Sequence, residues 1–266
     1  MLALLEYLVP FKKARREPWD FFFMALIFVA AAVAVTIFIP GLDGGAVIFA
    51  MVPAIPLFWS FLAWDEKQEV EEIKDAHDIR KRFLHHHRPL IEAYAYFFLG
   101  AVIAYSFFAA VLPPETAAKV FGPQLAETSR IQALTAQVFS PARFHLLFTH
   151  NMQVLGLMFL FCLLYGIGSI YLLLWNASVI GVFVGSKVAA SGALGVVNGL
   201  LGLVPHGSFE ILAYLLASIA GGIFSVCLMR KHWQKPEFKY VAFDVVFLTM
   251  LAVALLFVGA AIEASY

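Results

Sequence analysis

The chain has 266 residues, 62% hydrophobic and 14% charged, with eighteen basic side chains balanced by eighteen acidic ones. A soluble domain is about one-half apolar and about one-quarter charged, so this composition, gathered into long apolar runs, belongs to the membrane class. A net charge of zero leaves no basic field for nucleic acid. The two cysteines, Cys162 and Cys227, both fall inside apolar runs, which excludes a secreted-type disulfide framework and any Cys-x-x-Cys metal spacing.

Residues 1–11 place Leu2, Leu5, Leu8 and Val9 at helical spacing beside the basic run Lys12, Lys13, Arg15 and Arg16. That pattern predicts a short amphipathic helix on the inner membrane surface; a disordered tail is the other reading. The apolar part precedes the basic part, the reverse of signal-peptide order. A first span is predicted over residues 19–39, closed by a turn at Pro40-Gly41 and Gly44-Gly45. A second is predicted over 45–64, with Pro53 and Pro56 expected to kink it and Trp59 and Trp64 suited to an interfacial belt.

Residues 65–89 are the strongly charged block. They predict a helix that leaves the membrane and returns before Pro89, with Asp78 and Arg82 paired four residues apart. His85, His86 and His87 are consecutive. On a helix they point in different directions, so they read as a basic, lipid-facing surface segment. A third span is predicted over 90–112. The connector 115–143 repeats Ile131, Leu134, Val138 and Phe139 at helical spacing, which predicts an amphipathic helix on the outer surface or a docking helix for a partner.

The fourth and fifth spans, 145–165 and 169–186, form a tight hairpin through Gly166-Ile167-Gly168. Gly181-x-x-x-Gly185 permits close helix contact, within the chain or between two copies. Residues 193–204 are apolar but too short to cross, the length of a re-entrant or interfacial segment. The sixth span is predicted to start near Pro205, a favoured first helical position. The seventh covers 240–262. Fourteen Lys and Arg residues fall on one side of this topology and four on the other, which puts the N-terminus inside and, with seven spans, the C-terminus outside.

The expected fold is therefore all-α: a polytopic transmembrane helical bundle of about seven spans with amphipathic surface helices, in the cell membrane. It divides into a two-span hairpin within 1–64, a charged cytoplasmic linker over 65–89 and a five-span core over 90–266. The lipid bilayer is its solvent, and no nucleic-acid partner is expected.

Five polar side chains fall inside the spans: His150, Asn151, Asn176, His206 and Glu210. A polar group in hydrocarbon is costly unless it faces protein or water. Positions 206, 210, 213, 217, 221 and 225 step by three or four and share one helix face. His206 and Glu210 lead on that face into the small residues Ala213, Ala217 and Gly221, the mark of close helix packing. Two imidazoles and a carboxylate, His150, His206 and Glu210, are a candidate ligand set for a divalent transition metal or a proton relay. The structural alternative is a Glu–His or Glu–Asn bond that fastens two helices, with Glu210 stabilised by the positive end of its helix. Asn151 and Asn176 have the same two readings. The chain has no His-Glu-x-x-His, Gly-x-Ser-x-Gly or phosphate-loop motif to support an enzyme.

The runs HNMQVLGLMFLFCLLYGIGSIYLLLWNASVIGVFVG and PHGSFEILAYLLASIAGG resemble the stage II sporulation protein M family. The matching positions are Asn151, Gly166, Gly168, Asn176, Pro205, His206, Gly207 and Glu210, and the resemblance covers about residues 90–263. In spore-forming bacteria the namesake anchors and localises peptidoglycan-degrading enzymes during engulfment. The resemblance implies a membrane scaffold for membrane or extracytoplasmic protein partners; separately, close packing through Gly181, Gly185 and the sixth-span stripe leaves a homodimer open. The alternatives are a permease for an ion or small solute and a metal-dependent intramembrane hydrolase at His150, His206 and Glu210.

Overall fold

A computed structural model describes residues 11–14, 17–73, 82–135, 141–165, 168–229 and 238–265. After a helical turn at Phe11–Ala14 come α1 (Trp19–Phe38), α2 (Ala46–Ile73), α3 (Arg82–Val111), α4 (Pro114–Thr135), α5 (Pro141–Tyr165), α6 (Ile170–Ser191), α7 (Ala193–Met229) and α8 (Phe238–Ala264). The described residues hold no strand. Helices satisfy every backbone polar group within the segment, which is what a water-free solvent demands.

Among the described residues six helical segments are long and apolar enough to cross a membrane, against about seven expected: Trp19–Phe38, Arg88–Val111, Pro141–Leu164, Ile170–Ser191, Pro205–Ser225 and Val241–Ala264. The apolar part of α2, Ala46–Leu62, is shorter. At about 1.5 Å per residue it reaches only some 25 Å of a hydrocarbon layer about 30 Å thick. The α2 helix continues through Pro53 and Pro56 as far as Ile73.

The helices pack as two groups. One group holds α3, with α1 and α6 against it and α2 against α1 and α6. The other holds α7, with α5 and α8 against it. Contacts of α7 with α6, and more weakly with α3, join them. Lipid tails are as apolar as leucine, so close van der Waals fit holds such a bundle together. The Gly181-x-x-x-Gly185 pair supplies that fit between α6 and α3. A Cβ at Gly181 would lie 2.6 Å from the Tyr105 Cβ, and one at Gly185 would lie 2.7 Å from the Ala109 Cβ. The choice between a contact within the chain and one between copies is thus settled for this motif: it is spent inside the chain.

The α4 helix packs against α6 and, less, against α1 and α3, and it meets the α1–α2 turn. Val120, Phe121, Gln124 and Thr128 are buried, and the backbone departs from helical geometry at Phe121 (φ −118°, ψ 19°). Gly44 N–H donates to the Lys119 carbonyl at 2.9 Å. Lys119 Nζ donates to the Ile37 carbonyl at 3.4 Å and lies 3.8 Å from Asp43. Glu115, Ala118, Ala126, Ser129 and Arg130 remain exposed on the other side.

Several sequence expectations lie outside the described residues: the segment 1–10, the Asp78–Arg82 pair, Gly166, and the side chains of His85, His86, His87, Ile131, Leu134, Val138 and Phe139. The run 193–204, expected as a separate re-entrant or interfacial segment, is the first third of the 37-residue α7, which continues through Pro205. The turn into it comes at Gly192, whose φ of +57° suits a residue without a Cβ.

Candidate functional site

Three helices, α5, α7 and α8, meet along a polar seam. The α7 helix contributes His206, Glu210, Tyr214 and Ser218, each four residues from the last, so they stack on one side. The α5 helix contributes Arg143 and Asn151, and α8 contributes Glu263. Gly259 on α8 has no side chain to hold the helices apart: a Cβ there would meet the Glu210 Cγ at 3.2 Å and the His206 carbonyl at 3.3 Å.

The seam descends in three layers from the Pro141 end of α5. In the first, Arg143, only 6% exposed, donates from Nη2 to the Glu263 carbonyl at 3.0 Å. The Glu263 side chain is also buried, and Arg143 lies within electrostatic reach of it and of His206. In the second, Asn151 Nδ2 donates to Glu210 Oε1 at 2.5 Å, and Glu263 lies within electrostatic reach of Glu210. In the third, the Tyr214 hydroxyl donates to Asn151 Oδ1 at 3.1 Å. One turn below, Ser218 Oγ donates to the Tyr214 carbonyl at 2.8 Å and faces Met158 Sδ at 3.9 Å. Asn151 is the centre of this arrangement. Its amide NH2 serves the carboxyl of Glu210 and its amide oxygen receives the phenol of Tyr214.

Of the five intramembrane polar positions singled out above, the structure joins Asn151 and Glu210 by a hydrogen bond and sets His206 half-buried one turn from Glu210. It separates the other two. His150 is exposed, because the inward line of α5 runs through Arg143, Asn151, Leu155, Met158 and Cys162 and His150 sits about 100° around the helix from Asn151. Asn176 donates to the Leu172 carbonyl of its own helix at 2.8 Å and, among the described residues, is not bonded across to α5 or α7. Among the described residues no three His, Cys, Asp or Glu side chains are grouped to hold a metal ion. His150, His206 and Glu210 therefore do not assemble the ligand set that their types suggested. Glu210 also lies well inside α7, which starts at Ala193. The helix N-terminus that was expected to stabilise it acts only within the first turn, and Asn151 takes that part instead.

Ala213 and Ala217 are fully buried, and a Cβ at Gly221 would meet the Cys162 Cβ at 2.8 Å. The small-residue face of α7 thus lies against α5. Tyr214, Arg143 and Glu263 were missed from the sequence. Tyr214 reads as one more aromatic in an apolar run, but it stands four residues after Glu210. Arg143 and Glu263 read as residues flanking their spans, although span counting sets them at the same depth.

Long apolar helices with ionisable groups turned inward define a polytopic α-helical membrane protein. Within that class, the profile of the Stage II sporulation protein M family matches residues 93–266, about two-thirds of the chain, and the chain belongs to that family. It is also 29% identical over 119 residues to an uncharacterized protein of Methanocaldococcus jannaschii, MJ0793, an alignment covering 43% of this chain and 65% of that relative. The chain thus spans slightly less than two-thirds of the relative's length. No solved structure matches the chain.

Proposed function

We propose that the protein is a multi-pass scaffold of the cell membrane that holds partner proteins at the α4 face. The observation that carries this reading is the placement of α4. It is packed against α6, α1 and α3 and tied to the α1–α2 turn by Lys119, while Glu115, Ala118, Ala126, Ser129 and Arg130 face outward. Glu127 and Arg130 pair on this face at 2.6 Å, and the bonds from Glu127 push the Arg130 pKa further up. A rigid, water-facing platform fixed to a membrane bundle is what an anchor requires. The seam of α5, α7 and α8 fits the same reading, because Arg143, Asn151 and Tyr214 each donate a bond from one helix to another. The implied role of the family namesake points the same way.

The test is affinity purification of the full chain from native membranes in mild detergent, with and without Arg130→Glu. The scaffold reading expects a discrete co-purifying protein that is reduced by the charge reversal. Recovery of the bare chain from both preparations counts against it.

A permease is the second reading, favoured by the seam reaching from the Pro141 end of α5 down to Ser218 on α7. Purified protein in liposomes then shows solute or proton flux that Glu210→Gln abolishes. Flux indifferent to Glu210 removes this reading.

A further inference from the structure

The outward face of α5 is wrong for lipid. It carries His145, Thr149, Gln153 and Gly156, all exposed, before turning apolar at Leu157 and Leu160. The α1 and α8 helices contrast with it. Exposed positions of α1 are Trp19, Phe23, Ile27, Ala31 and Phe38; those of α8 between 243 and 258 are apolar throughout. Gln153 lies twelve residues from Pro141, about 18 Å along the helix, and so falls near the middle of a hydrocarbon layer about 30 Å thick. Polar side chains at that depth almost always face protein or water. Gly156 sits one turn deeper, and nothing lies within 4 Å of where its Cβ would be. A small residue at mid-membrane with open space before it leaves room for another helix backbone.

We infer that this face of α5 is the two-fold interface of a homodimer, with Gln153 bonded to its counterpart and Gly156 at the point of closest approach. The side chains themselves favour a second copy. Two copies inserted in the same direction bring equivalent residues to equal depth. A two-fold axis along the membrane normal then pairs each residue near it with itself. Only self-complementary side chains tolerate that. Gln153 has both amide donors and an amide acceptor, Thr149 has a hydroxyl that does both, and neutral His145 has one of each. No Lys, Arg, Asp or Glu, which would face its own charge across the axis, lies on the exposed line from His145 to Leu164. The Gly181–Gly185 pair and the α7 stripe are already occupied within the chain, so neither competes with α5 for this role.

The experiment is disulfide trapping in native membranes. Cys162 and Cys227 are first replaced by Ala in the full chain. Single cysteines are then placed at Gln153, at Gly156 and, as lipid-facing controls, at Ile27 and Leu251. Mild oxidation is expected to give a product of twice the chain mass from Gln153→Cys and Gly156→Cys and little from the controls. Adding Gly156→Leu to the Gln153→Cys chain is expected to weaken dimerisation by about tenfold, read as dimer fraction against expression level. That variant keeps its own fold, because the new side chain points into open space. Products from positions 153 and 156 no stronger than from 27 and 251 overturn the inference. So does an adduct whose mass is not twice that of the chain, which puts a different protein on this face.

Discussion

Replacing Asn151 by Ala removes the centre of the polar seam, and the structure gives the scale of the loss. Two bonds disappear, one to Glu210 at 2.5 Å and one from Tyr214 at 3.1 Å. Hydrogen bonds between membrane helices average about 0.6 kcal/mol, so the bonds alone amount to roughly 1.2 kcal/mol. Asn151 is 7% exposed and Tyr214 5%, so water does not readily replace the lost partner. A buried polar group without a partner costs about 1–3 kcal/mol. The expected destabilisation is therefore about 2–4 kcal/mol. Tyr214→Phe loses a single neutral bond and is expected to cost about 0.6–1.5 kcal/mol. In the Asn151→Ala background the same Tyr214→Phe change is expected to cost nothing and to recover part of the loss, because it removes a buried hydroxyl whose acceptor is already gone. The assay is reversible unfolding of the purified chain in mixed micelles, run as a double-mutant cycle. A loss below about 0.5 kcal/mol for Asn151→Ala, within the usual scatter for changes that break nothing, refutes the reasoning. An equal cost for Tyr214→Phe in both backgrounds refutes it as well.

Other consequences follow from the same packing. Gly185→Val forces a side chain against the Ser106 carbonyl and the Ala109 Cβ and is expected to destabilise the chain by about 1–3 kcal/mol; Gly122→Ala, whose Cβ meets no atom within 4 Å, is the silent control in the same unfolding assay. Gln124 is fully buried, and its amide nitrogen and oxygen have no partner among the described residues, so Gln124→Leu is expected to stabilise by about 1–2 kcal/mol. A drop in melting temperature for that variant would show that the amide is satisfied after all. Treatment with a strong chelator is expected to leave the melting temperature unchanged, since His150, His206 and Glu210 are not grouped around a metal; a fall restored by a divalent cation contradicts this.

Long apolar runs were enough to read an all-α membrane bundle, because span length is imposed by the bilayer and not by tertiary detail. The three- and four-residue steps from 206 to 225 also located the α7 face that carries Glu210, Ala213, Ala217 and Gly221, since helix periodicity is independent of neighbours. What depended on neighbours was harder. Hydropathy set the start of the apolar span at Pro205, where it falls, but the preference of Pro for a first turn also set a helix start there, whereas the 37-residue α7 begins at Ala193 and runs through Pro205. His150 and Asn151 are adjacent in sequence but about 100° apart on the helix. Only the position of α7 and α8 around α5 decides which one faces inward. The Gly181–Gly185 motif likewise announces a close contact without naming its partner, which proves to be α3.

The outward platform on α4 is the claim on which the scaffold reading stands, and site-specific photo-crosslinking in native membranes measures it most directly. A photoreactive residue is placed at exposed Ala118 or Ala126 and, as the inward control, at buried Val120. The account expects the same discrete protein adduct from positions 118 and 126 and only internal crosslinks from position 120. Lipid adducts alone from both outward positions, with no protein captured, would contradict it.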